Sequence, residues 1–285
     1  LYSLAIPTPS VLSSRVPYPR GCGQTWMMRV SLPDLLASAR VVSLPLNTRF
    51  RGIETREAML FEGPIGWTEF SPFLEYEDAE AAAWLAAAID FGWTPRETAV
   101  DRIWVNATLP AVGPDAVAGV LSRFPGCRSV KVKVAEAGQE LADDIARVRA
   151  AREFLGPDGR IRIDANGGWN VDEAEHAIHS LAAFDLEYVE QPCATVDELA
   201  QIRKRVKYMG IPIAADESGR KAEDPVAAAR AKAADLLVIK AQPLGGIDRA
   251  LAIVKEAGLP VVVSSAIDTS VGLSMGAHLA AALPD

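Results

Sequence analysis

Cysteine and histidine are scarce in this sequence, three of each among 285 residues. Cys22, Cys127 and Cys193 show no metal-ligand spacing, and an odd, sparse set fits a reduced, cytoplasmic protein better than a disulfide scaffold. His176, His179 and His278 all fall in helical patterns, so none is assigned to chemistry. No apolar run reaches the ~18 residues that a membrane span needs, so no membrane partner is expected. No basic stripe interrupts a balance of 29 Lys and Arg against 37 Asp and Glu, net charge −8, which argues against nucleic-acid binding. That acidity is spread over helix faces and reads as solubility. A signal peptide is also a poor fit, because no continuous apolar core precedes a small-residue cleavage site.

What is present is a rhythm. Five short apolar runs each end in a charged residue: Ser129–Lys133, Ile161–Asp164, Leu186–Glu190, Ile213–Asp216 and Leu236–Lys240. Asp164, Glu190, Asp216 and Lys240 follow one another at intervals of 26, 26 and 24 residues. Each gap holds one amphipathic helical pattern, which is the signature of repeated βα units in an α/β fold. Parallel strands put their C-terminal ends on one face, so Lys133, Asp164, Glu190, Asp216 and Lys240 should converge there.

Around this core the chain divides into three. Residues 1–27 are rich in Pro, Ser and Gly with little periodicity, and read as a disordered tail or a start-site artefact. Residues 28–100 read as a small α+β domain. In it Arg40–Leu46, Arg56–Glu62 and Trp67–Phe70 have strand character, and Asp78 is placed to cap a helix over Ala79–Ile89. The polar stretch Asn47–Gly52 between the first two strands reads as a loop, and its Arg49 and Arg51 are candidates to cover a site elsewhere. Residues 101–285 carry the βα repeat, beginning with a strand over Trp104–Thr108 and ending with a strand at Val261–Ser264 and a helix over Ser270–Leu283. Seven barrel strands are expected, with the last, an eighth, missing, so that either the barrel is closed by something unusual or the barrel domain is truncated at its C-terminus. Thr195 and Glu198 have the spacing of a capping box.

The convergent residues define a chemistry. Three carboxylates repel one another unless a cation or protons compensate. An all-oxygen set suits Mg²⁺, or Mn²⁺, better than zinc. A substrate carboxylate bound at such a cation would have its α-proton acidified, because the metal stabilises the enediolate left behind. Lys133 and Lys240 flank the carboxylates, and a lysine near a dication is available as a neutral base. Residues 131 and 133 share a strand face, so Lys131 should reach the same pocket and tune Lys133. A lone strand-end Asp is usually a turn residue and a lone strand Lys usually an edge residue. Five of them at one phase of the repeat outweigh that explanation.

Lys131-Val-Lys133, Asp164-Ala-Asn166-Gly, Glu190-Gln-Pro192, Asp216-Glu217-Ser218 and the strand-end Lys240 resemble the enolase superfamily. The resemblance is to its muconate-lactonizing subgroup, and within that to the o-succinylbenzoate synthases of actinobacterial type. It spans about Val41 to Pro284. It implies a modified (β/α)₇β barrel, TIM-like, with an N-terminal α+β capping domain. It implies Mg²⁺ on Asp164, Glu190 and Asp216, with Asn166 and Glu217 behind them. Lys133 would be the acid–base, and Lys240 the opposing cation. Ser264 and Ser265 match a segment that receives a substrate carboxylate, and Arg49 and Arg51 fall in the cap loop over the substrate. The implied reaction dehydrates 2-succinyl-6-hydroxy-2,4-cyclohexadiene-1-carboxylate to 2-succinylbenzoate in menaquinone synthesis. Racemisation of N-succinylamino acids, or epimerisation of dipeptides, would use the same two lysines. A metal-binding barrel without turnover is a third possibility. Thr68 stands where the family commonly has Gly. No partner beyond a small carboxylate is implied, and oligomeric state is left open.

Overall fold

The computed structural model describes residues 2–5, 30–50, 52–216 and 224–283. Strand β1 (Tyr2–Ala5) lies inside the stretch read as an irregular tail, and residues 6–29 lie outside the described residues. Helix α1 (Leu32–Ser38) starts at a capping box between Ser31 and Asp34, with Pro in its first turn, where a missing N–H costs nothing.

An antiparallel sheet follows, in the order β2 (Arg40–Phe50), β3 (Ile53–Glu62), β4 (Trp67–Phe70). Strand β2 runs through most of the stretch expected to be a loop. The register shifts between Pro45 and Phe50, and the hairpin closes at Phe50 and Ile53 around Gly52, whose φ is +77°. Helix α2 (Asp78–Trp93) packs across this sheet. Its N-cap is Glu77 rather than Asp78, and no side chain caps it. Thr68 is fully buried and sits against Gly92, where a Cβ would lie 2.9 Å from its methyl. Room for the threonine is made by a glycine on the helix opposite.

The expected first barrel strand is two strands. Strand β5 (Arg102–Val105) pairs antiparallel with β1, while β6 (Ala107–Leu109) joins the parallel sheet. The break is at Asn106. Its amide donates to the Ala107 carbonyl at 2.9 Å, and its Oδ1 accepts from Arg162 at 3.0 Å.

From here the βα alternation is regular. Helix α3 (Pro114–Leu121) leads to β7 (Ser129–Lys133), α4 (Leu141–Leu155) to β8 (Arg160–Asp164), and α5 (Val171–Leu181) to β9 (Leu186–Glu190). Helix α6 (Val196–Val206) leads to β10 (Ile213–Ala215), and α7 (Ala227–Arg230) to β11 (Leu236–Ile239). Helix α8 (Ile247–Ala257), β12 (Val261–Val263) and α9 (Ser270–Ala282) complete the described chain. Asn170 and Thr195 cap α5 and α6 through capping boxes with Glu173 and Glu198. Each such cap is worth ~1 kcal/mol and starts its helix soon after a loop that carries site residues.

The seven strands β6 to β12 form one parallel sheet in sequence order, with β6 and β12 at its edges among the described residues. Alternation divides the side chains. Val130, Val132, Ile161, Ile163, Val189, Ile213 and Ile239 face the helices and make the main core. Tyr188, Ala214 and Val238 pack with Leu236 and Val262 as a separate cluster on the other face. The same face, one step further along each strand, carries the charged ends.

The antiparallel domain is tied to the far end of the parallel sheet. Glu69 on β4 is fully buried, and its carboxylate accepts from the backbone N–H groups of Thr269 and Gly272, both at 3.0 Å, so it caps α9 from another domain. Arg56 donates to the Ile267 carbonyl at 3.0 Å and stacks on Phe73. Position 272 must be glycine: a Cβ there would lie 2.8 Å from atoms of Asp268, Gln242 and Glu69.

Candidate active site

Strands β7, β8, β9, β10 and β11 are neighbours in that order, so their ends bring Lys133, Asp164, Glu190, Asp216 and Lys240 into a row. Register places Lys133 beside Asp164 and Asp164 beside Glu190. Asp164 and Glu190 are fully buried and Asp216 is nearly so.

Three ammonium groups compensate the carboxylates. Lys131 Nζ lies 2.6 Å from Glu190 Oε1 and 2.9 Å from Asp164 Oδ2. Lys133 Nζ lies 2.5 Å from Asp164 Oδ2 and 2.6 Å from Asn166 Oδ1. Lys240 Nζ is bonded to both carboxylate oxygens of Asp216. Lys131 therefore bridges two carboxylates directly, a stronger engagement than tuning its neighbour. Burial opposes its charge, but Glu190, Asp164 and Asp216 hold its pKa above the usual lysine value. Asp164 is likewise held well below the carboxylate range: burial works against it, but Lys131 and Lys133 outweigh burial. Glu190 goes the other way. Burial and then the Asp164 charge push it well up, against the pull of Lys131.

The oxygens of the three carboxylates are drawn to lysines rather than to a common point. Among the described residues no three His, Cys, Asp or Glu side chains are gathered closely enough to hold a metal ion. The donor set nevertheless suits a hard cation, being all carboxylate oxygen. Glu190 Oε2 is buried with no hydrogen-bond partner. An orphaned carboxylate oxygen costs at least ~1–3 kcal/mol, and a coordinated cation would satisfy it.

Of the other candidates, Asn166, Ser264 and Ser265 lie among the described residues. Asn166 sits at φ +47°, accepts from Lys133, and donates its backbone N–H to Asp164 Oδ1 at 3.0 Å. Ser264 lines a small cavity with Lys240, Gln242, Asp268, Gly272 and Gly276, and Ser265 is half-buried beside it. The backbone of Arg49 belongs to β2, but its side chain, Arg51 and Glu217 lie outside the described residues. Cys193 is a packing residue: it is fully buried, and burial pushes its thiol up to about 12.

Two groups of residues near the site are given no role by the sequence. Gln191, fully buried at φ +40°, accepts from the Asp216 N–H at 2.9 Å and donates to the Cys193 carbonyl at 2.8 Å, so it fixes the start of the loop after β10. In Glu190-Gln191-Pro192 it reads only as a strand breaker. Asp144 and Arg147 on α4 are buried charges where the helical pattern reads as a mixed surface.

Comparison with known proteins gives this geometry relatives. Residues 116–285 match the family model described as enolase C-terminal domain-like, and residues 41–92 match enolase N-terminal domain-like. The chain is 56% identical over 251 residues to the o-succinylbenzoate synthase of Thermobifida fusca, covering 87% of this chain and 77% of that protein. It is 54% identical over 257 residues to the o-succinylbenzoate synthase of Mycolicibacterium smegmatis, covering 90% and 78%. Among solved structures, the dipeptide epimerase of Enterococcus faecalis in complex with Mg and L-Leu-L-Tyr superposes with a TM-score of 0.71 at 24% identity, over 86% of each chain. The substrate-liganded L-Ala-D/L-Glu epimerase of Bacillus subtilis gives 0.70 at 24%, again over 86% of each. Those two likenesses concern the fold.

Proposed function

The chain belongs to the o-succinylbenzoate synthases of the enolase superfamily, and we propose that it is a dehydratase converting 2-succinyl-6-hydroxy-2,4-cyclohexadiene-1-carboxylate to 2-succinylbenzoate. Residues 101–285 would form the barrel that does the chemistry, and residues 28–100 the cap that shields it. The observation that supports this reading is the order of strand ends: a lysine, three buried carboxylates, a lysine.

Asp164, Glu190 and Asp216 would hold Mg²⁺. When bound, the cation supplies positive charge to the substrate carboxylate as the adjacent α-carbon loses its proton. Lys133, as the free amine, takes that proton. The C–H electron pair moves into the ring, the C–O bond at the neighbouring carbon breaks, and the Lys133 ammonium returns the proton to the departing hydroxyl. Water leaves, Lys133 is again neutral, and the ring becomes aromatic. Lys240 faces the same row from the far side, where its charge opposes the negative charge that builds on the substrate carboxylate. Asn166 holds Lys133 Nζ without adding charge, so it orients either protonation state. Ser264 stands beside Lys240, in place to meet a second carboxylate. Menaquinone synthesis in the cytoplasm is the setting this reaction implies.

Because two opposed lysines also suit racemisation, the test runs both assays on the full chain with Mg²⁺. Aromatic product is followed by ultraviolet absorbance and N-succinylamino-acid inversion by polarimetry. Dehydration should be the faster by at least ~10-fold. Inversion without dehydration would reassign the chain to the racemases, and a folded chain inactive in both would leave a non-catalytic barrel.

A further inference from the structure

Asp144 and Arg147 form an ion pair inside the protein, Arg147 Nη1 to Asp144 Oδ1 at 2.7 Å, with 2% and 1% of their surfaces exposed. Stability alone is a poor reason for such a pair. Each ion forfeits several kcal/mol of hydration on burial, and well-packed apolar residues in the same space are often as stable or more so. The explanation has to lie in where its hydrogen bonds go.

They converge on the end of β7. Arg147 Nη1 also donates to the Lys133 carbonyl at 2.9 Å, and Asp144 Oδ2 accepts from the Ala135 N–H at 3.0 Å. The backbone is thus gripped on both sides of Val134, immediately beyond the catalytic candidate. Arg147 Nε donates to the Val112 carbonyl at 2.6 Å and its Nη2 to Gln139 Oε1, which references the end of β7 to the loop after β6. The grip holds a conformation the chain would not choose unaided. Ala135 sits at φ +58°, a left-handed region that costs a non-glycine residue ~1–3 kcal/mol.

The strained turn has a neighbour. A Cβ on Gly168 would lie 2.9 Å from the Ala135 Cβ and 3.0 Å from its carbonyl oxygen, so the loop after β8 packs directly on residue 135. That loop carries Asn166, which holds Lys133 Nζ at 2.6 Å. One buried pair on α4 therefore bears on Lys133 from two sides: on its main chain directly, and on its ammonium through Ala135, Gly168 and Asn166.

We propose that Arg147 and Asp144 are positioning residues that aim the Lys133 amine at the substrate carbon. This rests on Lys133 being the acid–base of the proposed dehydration. A displacement of ~1 Å at a proton-transfer group is enough to cost ~10²-fold in rate. Substrate binding, carried by other strand ends, is unaffected.

The test compares Arg147→Lys and Asp144→Asn with the wild-type chain, each first shown by circular dichroism and thermal melting to be folded. A lysine at 147 keeps a cation beside Asp144 but cannot reach the Val112 and Lys133 carbonyls with one planar fork. Asparagine at 144 can still accept from Ala135 while the charge is gone, and it decides the matter if Arg147→Lys does not fold. In folded variants kcat falls about 10- to 100-fold, KM stays within about 3-fold, and the limb of the pH–rate profile that reports the base is displaced. A purely structural role would lower the melting temperature and leave KM, kcat and the profile of the surviving folded protein at wild-type values, and that result overturns the proposal. A crystal structure of the variant supplies a readout independent of turnover: Lys133 Nζ should have left Asn166 Oδ1. If that contact persists, the inference fails even where wild-type dehydration is confirmed. If the wild type does not dehydrate, the functional reading fails instead.

Discussion

Lys131 and Lys133 are two residues apart on one face of β7, yet their surroundings differ. Lys131 is wedged between Glu190 and Asp164, and three carboxylates keep it a cation against the cost of burial. Lys133 shares one oxygen of Asp164 and meets the neutral amide of Asn166. Of the pair, Lys133 is the one proposed as the acid–base, and a neutral amide beside it suits either protonation state. Lys133→Ala should therefore lower dehydration by ~10²–10⁴-fold, the range for loss of a general acid–base. Lys240→Ala should also be severe, since it removes a positive charge facing the developing anion, an effect worth roughly 3–4 kcal/mol at comparable sites. Exchange of the substrate α-proton with solvent, followed by NMR in D₂O, separates the two roles. In Lys133→Ala it should vanish if the enzyme is a dehydratase, whereas a two-base racemase would retain some exchange through Lys240; in a dehydratase Lys240→Ala slows exchange and elimination together. Near-normal dehydration by Lys133→Ala would remove the assignment of the base.

Among the elements, α9 has the least usual support. Its first turn is satisfied by its own Thr269 hydroxyl and by Glu69 from β4, beside the half-buried Asp268. Burial, followed by the charge of Glu69, pushes the Asp268 carboxyl up to about 7. Arg56 and the Ala266 N–H only partly compensate. Between about pH 4 and 7 the folded protein then keeps a proton on Asp268 that the unfolded chain has already lost. The Asp268 contribution to stability therefore falls as pH rises through that window. Glu190, also raised, acts with the same sign. Subtracting the Asp268→Asn variant isolates Asp268. Its denaturant midpoint should decline less than that of the wild type from pH 5 to 8, and parallel declines would show that Asp268 ionises freely. Such a cluster is hard to see in a sequence, because Glu69 and Asp268 are far apart and each reads alone as an exposed acid. The same holds for Asp144 and Arg147, which in a helix of mixed polarity look like part of a solvated face. The strand ends were legible for the opposite reason. Asp164, Glu190, Asp216 and Lys240 each close an apolar run, and parallel pairing converts a shared phase into proximity without further information. Where pairing was not implied by phase, the reading faltered: Trp104–Thr108 has one continuous strand pattern, but Arg102–Val105 pairs with Tyr2–Ala5 and only Ala107–Leu109 enters the parallel sheet.

For the molecule as a whole, the row of strand ends is held together by its own lysines: Lys131, Lys133 and Lys240 pair with Asp164, Glu190 and Asp216 within one buried site. Mg²⁺ would enter by displacing ammonium contacts, and its binding energy is net of that exchange. It should still bind the folded chain alone, because the three ligands come from strands β8 and β9 and from the end of β10, which the unfolded chain does not hold together. A ligand that binds only the native state adds about 2.7 kcal/mol at a hundred times its Kd. For a chain of this size, each kcal/mol raises Tm by roughly 2–4 °C. Titration with Mg²⁺ should therefore raise the melting temperature by several degrees at saturation, and Asp216→Asn, which takes the charge from one proposed ligand and leaves Lys240 without its carboxylate, should reduce the rise. Mn²⁺ should substitute, since it shares the preference for oxygen donors. Chelation with EDTA should stop dehydration and return the melting temperature to its starting value without unfolding the protein, because the lysines close the site again. If Mg²⁺ left the melting temperature unchanged and EDTA left dehydration intact, the lysine–carboxylate row would be a structural ion-pair network, and the proton chemistry would have to be sought elsewhere in the barrel.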